Sequence, residues 1–355
     1  MIKEVHGGNI YKYDHKVFDF SANLNPLGMP MEVKQAIIDN IDKYQSYPDT
    51  LNRELAKALG KFHNISWEKI CCGNGAADII FRIALGLKPK KALIISPTFS
   101  EYEEALEIVD CQANHYILKE TNGFVVDEGL LKVIDSGYDM MFICNPNNPT
   151  GIPICREFML SLAERCKENN TILVVDECFT EFLLEEEKYA IIDKIDSLKN
   201  VIILKAFTKI YAMAGVRLGY SVCGDVSIAN TINQTLQPWS VSTIASKAGV
   251  AALKLQDFVR ETKLYIDTNR KFLLNEMSRL GVKTYNSMAN YIFFWSDIDL
   301  CKEFSKYNIL LRSCSNYITL DENYYRIAVR TNEENQYFID CLEKILNEKN
   351  GGLNG

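Results

Sequence analysis

Short apolar runs separated by longer stretches of mixed polarity set the pattern of the middle of this chain. Residues 92–96, 140–144, 172–176, 201–205 and 218–222 are compact, rich in β-branched and aliphatic side chains, and bounded by turn formers. Runs of that length without polar alternation read as strands buried on both faces. Between them, 101–109 and 157–169 repeat apolar residues at helical spacing. Strands alternating with helices predict an α/β fold, a mostly parallel sheet wrapped by helices on both faces. Near Val241 the pattern changes. Residues 242–280 read as a long helical stretch, and 291–295, 309–312 and 325–329 as strands of a smaller α+β unit. The expected division is an N-terminal arm over 1–30 that joins the small domain, a large domain over 31–240, and an interdomain helix with the small domain over 241–355. The tail, 350–355, is expected to fray.

A chain of 355 residues has room for a large core and a second domain. With 39 basic and 46 acidic side chains the net charge is −7, and no basic stripe interrupts it, which argues against a nucleic-acid partner. No apolar run reaches the roughly 18 residues that a membrane span needs. The segment MIKEVHGGNIYKYDHK holds no apolar stretch of signal-peptide type. The 11 cysteines are odd in number, scattered and without CxxC spacing, so neither a disulfide framework nor a zinc site is expected. Reduced thiols and a cytoplasmic location follow as expectations, with no metal.

Four segments at the ends of predicted elements carry candidate chemistry. Asn145-Pro146-Asn147-Asn148-Pro149-Thr150-Gly151 follows a strand, at the carboxyl edge where open α/β sheets bind ligands. Asp176-Glu177 ends the run 172–176 and would place a carboxylate deep in such a site. Lys209 ends Ala206-Phe207-Thr208-Lys209, and Arg217 lies eight positions later in Ala214-Gly215-Val216-Arg217-Leu218-Gly219-Tyr220. A lysine amine forms imines with carbonyl cofactors, and a planar guanidinium grips phosphate. Gly73-Asn74-Gly75-Ala76-Ala77-Asp78 precedes a helix, where small residues let backbone N–H groups approach an anion. Each has an ordinary reading by itself: a turn, a helix cap, a solvated lysine, a connecting loop. Their order and spacing carry more than any one of them.

In that order, NPNNPTG, VVDE, FTK and AGVRLGY resemble the class I/II aminotransferase superfamily of fold-type I enzymes, over nearly the whole chain. The nearest branch contains the histidinol-phosphate aminotransferases and the L-threonine-O-3-phosphate decarboxylases. The resemblance implies pyridoxal 5′-phosphate (PLP) as cofactor, carried by Lys209, which also moves protons. It implies that Asp176 pairs with the ring nitrogen and that Asn148 donates to the phenolic oxygen. Arg217, Thr208 and the amides of Ala76, Ala77 and Asp78 would surround the phosphate, and Phe99 would stack on the ring. Tyr47, in Tyr44-Gln45-Ser46-Tyr47-Pro48, would reach the phosphate of a neighbouring subunit, which requires a homodimer. Two positions depart from the family pattern. Ala206 stands where a serine is usual, three places before the lysine, a loss of about 0.5–1.5 kcal/mol for one neutral hydrogen bond that Thr208 is placed to offset. Phe179 stands where many members have a tyrosine, which leaves Asn148 with more of the work at the phenolic oxygen.

The resemblance extends to the substrate side. Arg326, in Tyr324-Tyr325-Arg326-Ile327-Ala328-Val329, matches the family arginine that grips the substrate carboxylate, and Arg312 the one that contacts the substrate phosphate. Two arginines suit a substrate with two anionic ends. His6-Gly7-Gly8-Asn9, followed by Asp19-Phe20-Ser21-Ala22-Asn23-Leu24-Asn25-Pro26, resembles the decarboxylases more closely than the aminotransferases. There the arm folds over the site, with His6 and Asn23 towards substrate phosphate or carboxylate. The implied reaction is decarboxylation of L-threonine O-3-phosphate to (R)-1-amino-2-propanol O-2-phosphate, a precursor of the cobalamin nucleotide loop. The alternative is a histidinol-phosphate or related aminotransferase, which needs a 2-oxo acid acceptor. A non-catalytic relative would be expected to have lost the lysine or the arginines, and all are retained here.

Overall fold

The apolar runs form a seven-stranded sheet in the computed structural model of the chain, which describes residues 6–134 and 137–351. A short strand of the N-terminal arm, β1 (Phe18–Asp19), comes first and belongs elsewhere. The large sheet takes β2 (Ile70–Gly73), β3 (Lys91–Ser96), β4 (Gln112–Ile117), β5 (Met140–Cys144), β6 (Ile172–Asp176), β7 (Val201–Ala206) and β8 (Gly219–Cys223), in the order β2-β8-β7-β6-β5-β3-β4. All neighbours are parallel except that β8 runs against both β2 and β7. Every residue of β5, β7 and β8 is buried; β5 is wholly apolar, whereas β7 carries Lys205 and β8 Ser221. The edge strand β4 is half-exposed and correspondingly polar.

Helices cover the sheet because one face of each is apolar. In Arg156–Glu168, Met159, Leu162, Ala163 and Cys166 recur at three- and four-residue spacing, and all are buried. A buried Leu or Met contributes roughly 1.5–3 kcal/mol from removed apolar surface. The stretch 242–280, expected as one helix, is two: Thr243–Ala252 and Gln256–Arg279. Ser242 opens the first by accepting the Ala245 amide at 3.1 Å. The break comes where Leu253 and Leu255 turn onto the core and the amides of Lys254 and Leu255 bond three residues back, to Ala251 and Ala252, tightening the chain.

The smaller unit holds β9 (Lys283–Thr284), β10 (Tyr291–Trp295), β11 (Ile309–Leu310), β12 (Arg312–Ser313) and β13 (Tyr324–Ala328). β12-β13-β10-β9 make an antiparallel sheet, whereas β11 pairs in parallel with β1 of the arm. The run 309–312, expected as one strand, is therefore divided at Leu311 between two sheets. The arm is also tied to β13, since the Ala328 amide donates to the Phe20 carbonyl at 2.8 Å. The last helix, Asn332–Gly351, ends the described chain. Of the tail expected to fray, 350–355, residues 350 and 351 belong to this helix and 352–355 lie outside the described residues.

Candidate active site

The carboxyl ends of β2, β3, β5, β6 and β7 lie along one edge of the sheet, and the reversal of β8 brings its first residue to that same edge. Gly219 pairs with Gly73 on one side and with Ala206 on the other. Residues leaving β6 and β7 and residues entering β8 thus converge. A cavity of about 350 Å³ opens there, closed from above by the arm and the small unit.

An anion cradle forms one end. Gly75 turns the chain into the helix Ala76–Leu87 with φ +86°, and the first residues of that helix, Ala76 and Ala77, line the cavity. Arg217 lies over this turn, donating from Nη2 to the Asn74 carbonyl at 3.3 Å. A Cβ on Gly75 would come within 2.4 Å of Arg217 Nη2, so the approach requires glycine. Thr208 lines the cavity too, its hydroxyl 3.4 Å from the Leu218 carbonyl. Asp78 does not line it. Its Oδ2 accepts the Asn74 amide at 3.0 Å and lies 3.6 Å from Arg82, so its side chain shapes the turn.

Lys209 sits in the single turn of helix after β7, its Nζ 5.9 Å from the Phe179 ring centre. Burial, followed by the Arg326 guanidinium, lowers the amine to about 8; Arg217 adds to this, while Cys178 and Asp176 oppose it. Asp176 ends β6, and both its carboxylate oxygens are held: Tyr102 donates to Oδ2 at 2.6 Å and the Cys178 amide to Oδ1 at 3.0 Å. Phe99 stands edge-on to Tyr102, with centroids 5.7 Å apart.

The opposite wall is cationic. Arg326, on β13, donates from Nη1 to Asn148 Oδ1 and from Nη2 to the Ser21 carbonyl at 2.8 Å. Its Nε is buried without a hydrogen-bond partner among the described residues. Tyr317 donates to the same Asn148 oxygen at 3.3 Å, so the amide NH2 of Asn148 is the end left for another group. Arg312, on β12, donates to the Ser313 carbonyl at 2.7 Å and to Asn316 Oδ1 at 2.6 Å, and lies over the Tyr317 ring. From the arm, Asn23 lines the cavity with a buried Oδ1 that has no partner among the described residues. A Cβ on Gly7 would come within 2.2 Å of the Ser21 carbonyl, so the arm folds back this closely only with glycine there. That fold places His6 Nε2 2.8 Å from Glu101 Oε1.

One cavity therefore gathers Lys209, Asp176, Asn148, Phe99, Thr208, Arg217, Ala76 and Ala77 with His6, Asn23, Arg312 and Arg326. Tyr47 stands apart: it is 80% exposed and stacks on Trp239 with centroids 4.5 Å apart. Glu101, Tyr102, Ser21, Cys178 and Tyr317 also line the cavity and were not singled out from sequence. Tyr102 and Glu101 follow Phe99 closely in the run Ser96–Tyr102, which is the one signal that pointed at them.

A family model described as aminotransferase class I and II matches residues 15–342. The chain is 35% identical to the threonine-phosphate decarboxylase of Salmonella typhimurium, over 98% of each. Among solved structures, the histidinol-phosphate aminotransferase from Clostridium acetobutylicum superposes with a TM-score of 0.88 at 28% identity, covering 94% of this chain and 100% of that one. The L-threonine-O-3-phosphate decarboxylase from Porphyromonas gingivalis gives 0.83 at 25% identity, covering 93% and 99%.

Proposed function

The chain belongs to the class I and II aminotransferase family, and from that premise we propose that it is a PLP-dependent decarboxylase of L-threonine O-3-phosphate. The product is (R)-1-amino-2-propanol O-2-phosphate, the precursor of the cobalamin nucleotide loop. The observation that carries this reading is the meeting, in one cavity, of a buried lysine and aspartate with two arginines and an arm bearing His6 and Asn23.

The residues present suit PLP. A cradle that a Cβ would fill, a guanidinium and the first amides of a helix face a phosphate, and a fixed carboxylate and a lysine amine lie beyond them. When bound, PLP supplies an electron sink for the pair left behind when a bond at the substrate Cα breaks. Arg217, Thr208 and the backbone at Ala76, Ala77 and Asp78 hold the phosphate. Asp176, kept in place by Tyr102 and Cys178, keeps the ring nitrogen protonated, and Phe99 covers the ring face. Asn148 offers its NH2 to the phenolic oxygen because its carbonyl is already occupied. Lys209 would hold the cofactor through its amine and would move the proton at the substrate Cα. Arg326 fixes the carboxylate, and Arg312, His6 and Asn23 fix the phosphate. Together they decide which Cα bond stands perpendicular to the ring, and hence which one breaks.

The test is CO2 release from L-threonine O-3-phosphate by holoenzyme with no oxo acid present. Stoichiometric CO2 and aminopropanol phosphate are expected. The TM-score of 0.88 to a histidinol-phosphate aminotransferase favours amino transfer as the second reading. No CO2, with conversion of histidinol phosphate that depends on a 2-oxo acid, would replace the first reading by the second.

A homodimer belongs to the same proposal. Tyr47 and Trp239 form an exposed aromatic pair, and Met31, Ile41 and Leu51 are exposed in the segment around Tyr47. A second copy covering this face would bring Tyr47 to its cofactor phosphate. Tyr47→Phe is then expected to weaken PLP binding about 2- to 12-fold, the worth of one hydrogen bond at ~0.5–1.5 kcal/mol. Equal PLP dissociation rates in Tyr47→Phe and wild type would remove Tyr47 from the site. No described helix is long and apolar enough to cross a membrane. A phosphorylated, water-soluble substrate fits the cytoplasm as the location.

A further inference from the structure

The arm reaches the large domain through a side-chain pair whose charge state the cavity itself controls. His6 Nε2 lies 2.8 Å from Oε1 of Glu101, the first residue of the helix Glu101–Glu107. Glu101 is 8% exposed, and its other oxygen, Oε2, is buried without a hydrogen-bond partner among the described residues. A buried carboxylate beside a site built for anions costs binding energy unless a cation neutralises it. We infer that Glu101 is a positioning residue that holds His6 over the cavity with its imidazole protonated, so that the arm closes on the substrate phosphate as a cation. The inference rests on the phosphorylated-substrate reading above and adds to it the group that sets the charge of the arm.

Several of the described groups act on His6. The hydrogen bond to Glu101 holds the proton on most strongly; burial opposes it; the charge of Glu101 supports it, Arg312 opposes it, and Glu104 supports it. The Phe99 ring lies 6.2 Å away. The outcome is a pKa raised above the usual imidazole value. The sign follows. The cationic contribution to phosphate binding is complete at pH values below the ordinary histidine range and is lost as pH rises through the raised value. With the Glu101 charge removed, burial and Arg312 act with less opposition, and the loss comes at lower pH.

Glu101→Gln keeps the shape of the side chain and one acceptor oxygen for His6, and removes its charge. Two readouts on the holoenzyme separate charge control from simple tethering of the arm. The first is an imidazole NMR titration of histidine-labelled protein, which has four histidines, with the His6 signal assigned by its loss in His6→Gln. The second is the Kd of inorganic phosphate, and of L-threonine O-3-phosphate, across the neutral pH range. The ionisation of the phosphate itself is common to both variants and cancels in the comparison. In Glu101→Gln the His6 titration is expected to move to lower pH. Phosphate binding is expected to be about 3- to 10-fold weaker just above neutrality and equal to wild type or tighter at the acid end, where His6 is protonated in both and the carboxylate no longer opposes the anion. An unchanged His6 titration, or a weakening independent of pH, would overturn the inference and leave Glu101 as a tether. Absence of CO2 release would count against the substrate reading but would not alter either readout.

Discussion

Lys209→Ala is expected to lower CO2 release from L-threonine O-3-phosphate by about 10³-fold or more, because it removes the residue proposed both to anchor the cofactor and to carry the proton at Cα. Borohydride treatment followed by intact-mass analysis checks the cause: wild type should gain the mass of reduced cofactor and Lys209→Ala should not. A cofactor adduct on the alanine variant would move the anchor to another lysine. The environment of this amine adds a pH dependence. With the amine at about 8, roughly a tenth of it is neutral at pH 7, some 300-fold more than for an ordinary lysine. Attachment needs the neutral amine. Loading of PLP into apoenzyme should therefore speed up as pH rises and level off above about 8. A plateau only near the ordinary lysine value would show that burial and Arg326 do not act on this amine.

The second large effect belongs to Arg326. It holds the Asn148 and Ser21 carbonyl oxygens on one wall of the cavity and still presents an unpartnered Nε. Arg326→Ala removes the carboxylate grip and leaves those oxygens facing an apolar gap. We expect kcat/KM to fall about 10²- to 10³-fold, equivalent to ~3–4 kcal/mol, with stability reduced by about 1–3 kcal/mol for the orphaned acceptors. Arg326→Lys should recover little, since an ammonium cannot reproduce the planar fork that reaches two acceptors at once. Steady-state kinetics with a thermal melt of the holoenzyme measure both. A kcat/KM within tenfold of wild type for Arg326→Ala would assign the carboxylate to another group.

The parts of the fold that could be read from sequence are those buried on both faces. β3, β5, β6 and β7 carry apolar runs because neighbours cover them on each side; Lys205 in β7 is buried too, with Glu177 and Glu186 beside it. β4 escaped notice for the opposite reason: at the sheet edge Gln112, Asn114 and His115 face partly to water and break up the signal. The division of 309–312 was illegible because it depends on which distant strand each half meets, β1 or β13. The site followed the same logic. Lys209 and Asp176 stand at strand ends, where position alone raises suspicion, and their motif context supplied the rest. Glu101 and Tyr317 matter through His6 and Asn148, far away along the chain, and local spacing says nothing of such partners.

The reversal of β8 also limits how this protein can change in length. The segment 207–218 joins the end of β7 to the start of β8 and carries both Lys209 and Arg217 to the lining of one cavity. An insertion or deletion between them would alter the span from amine to guanidinium, and no neighbouring element could make good the difference. Described loops at the other edge of the sheet do not line this cavity, so added residues there are expected to disturb it less.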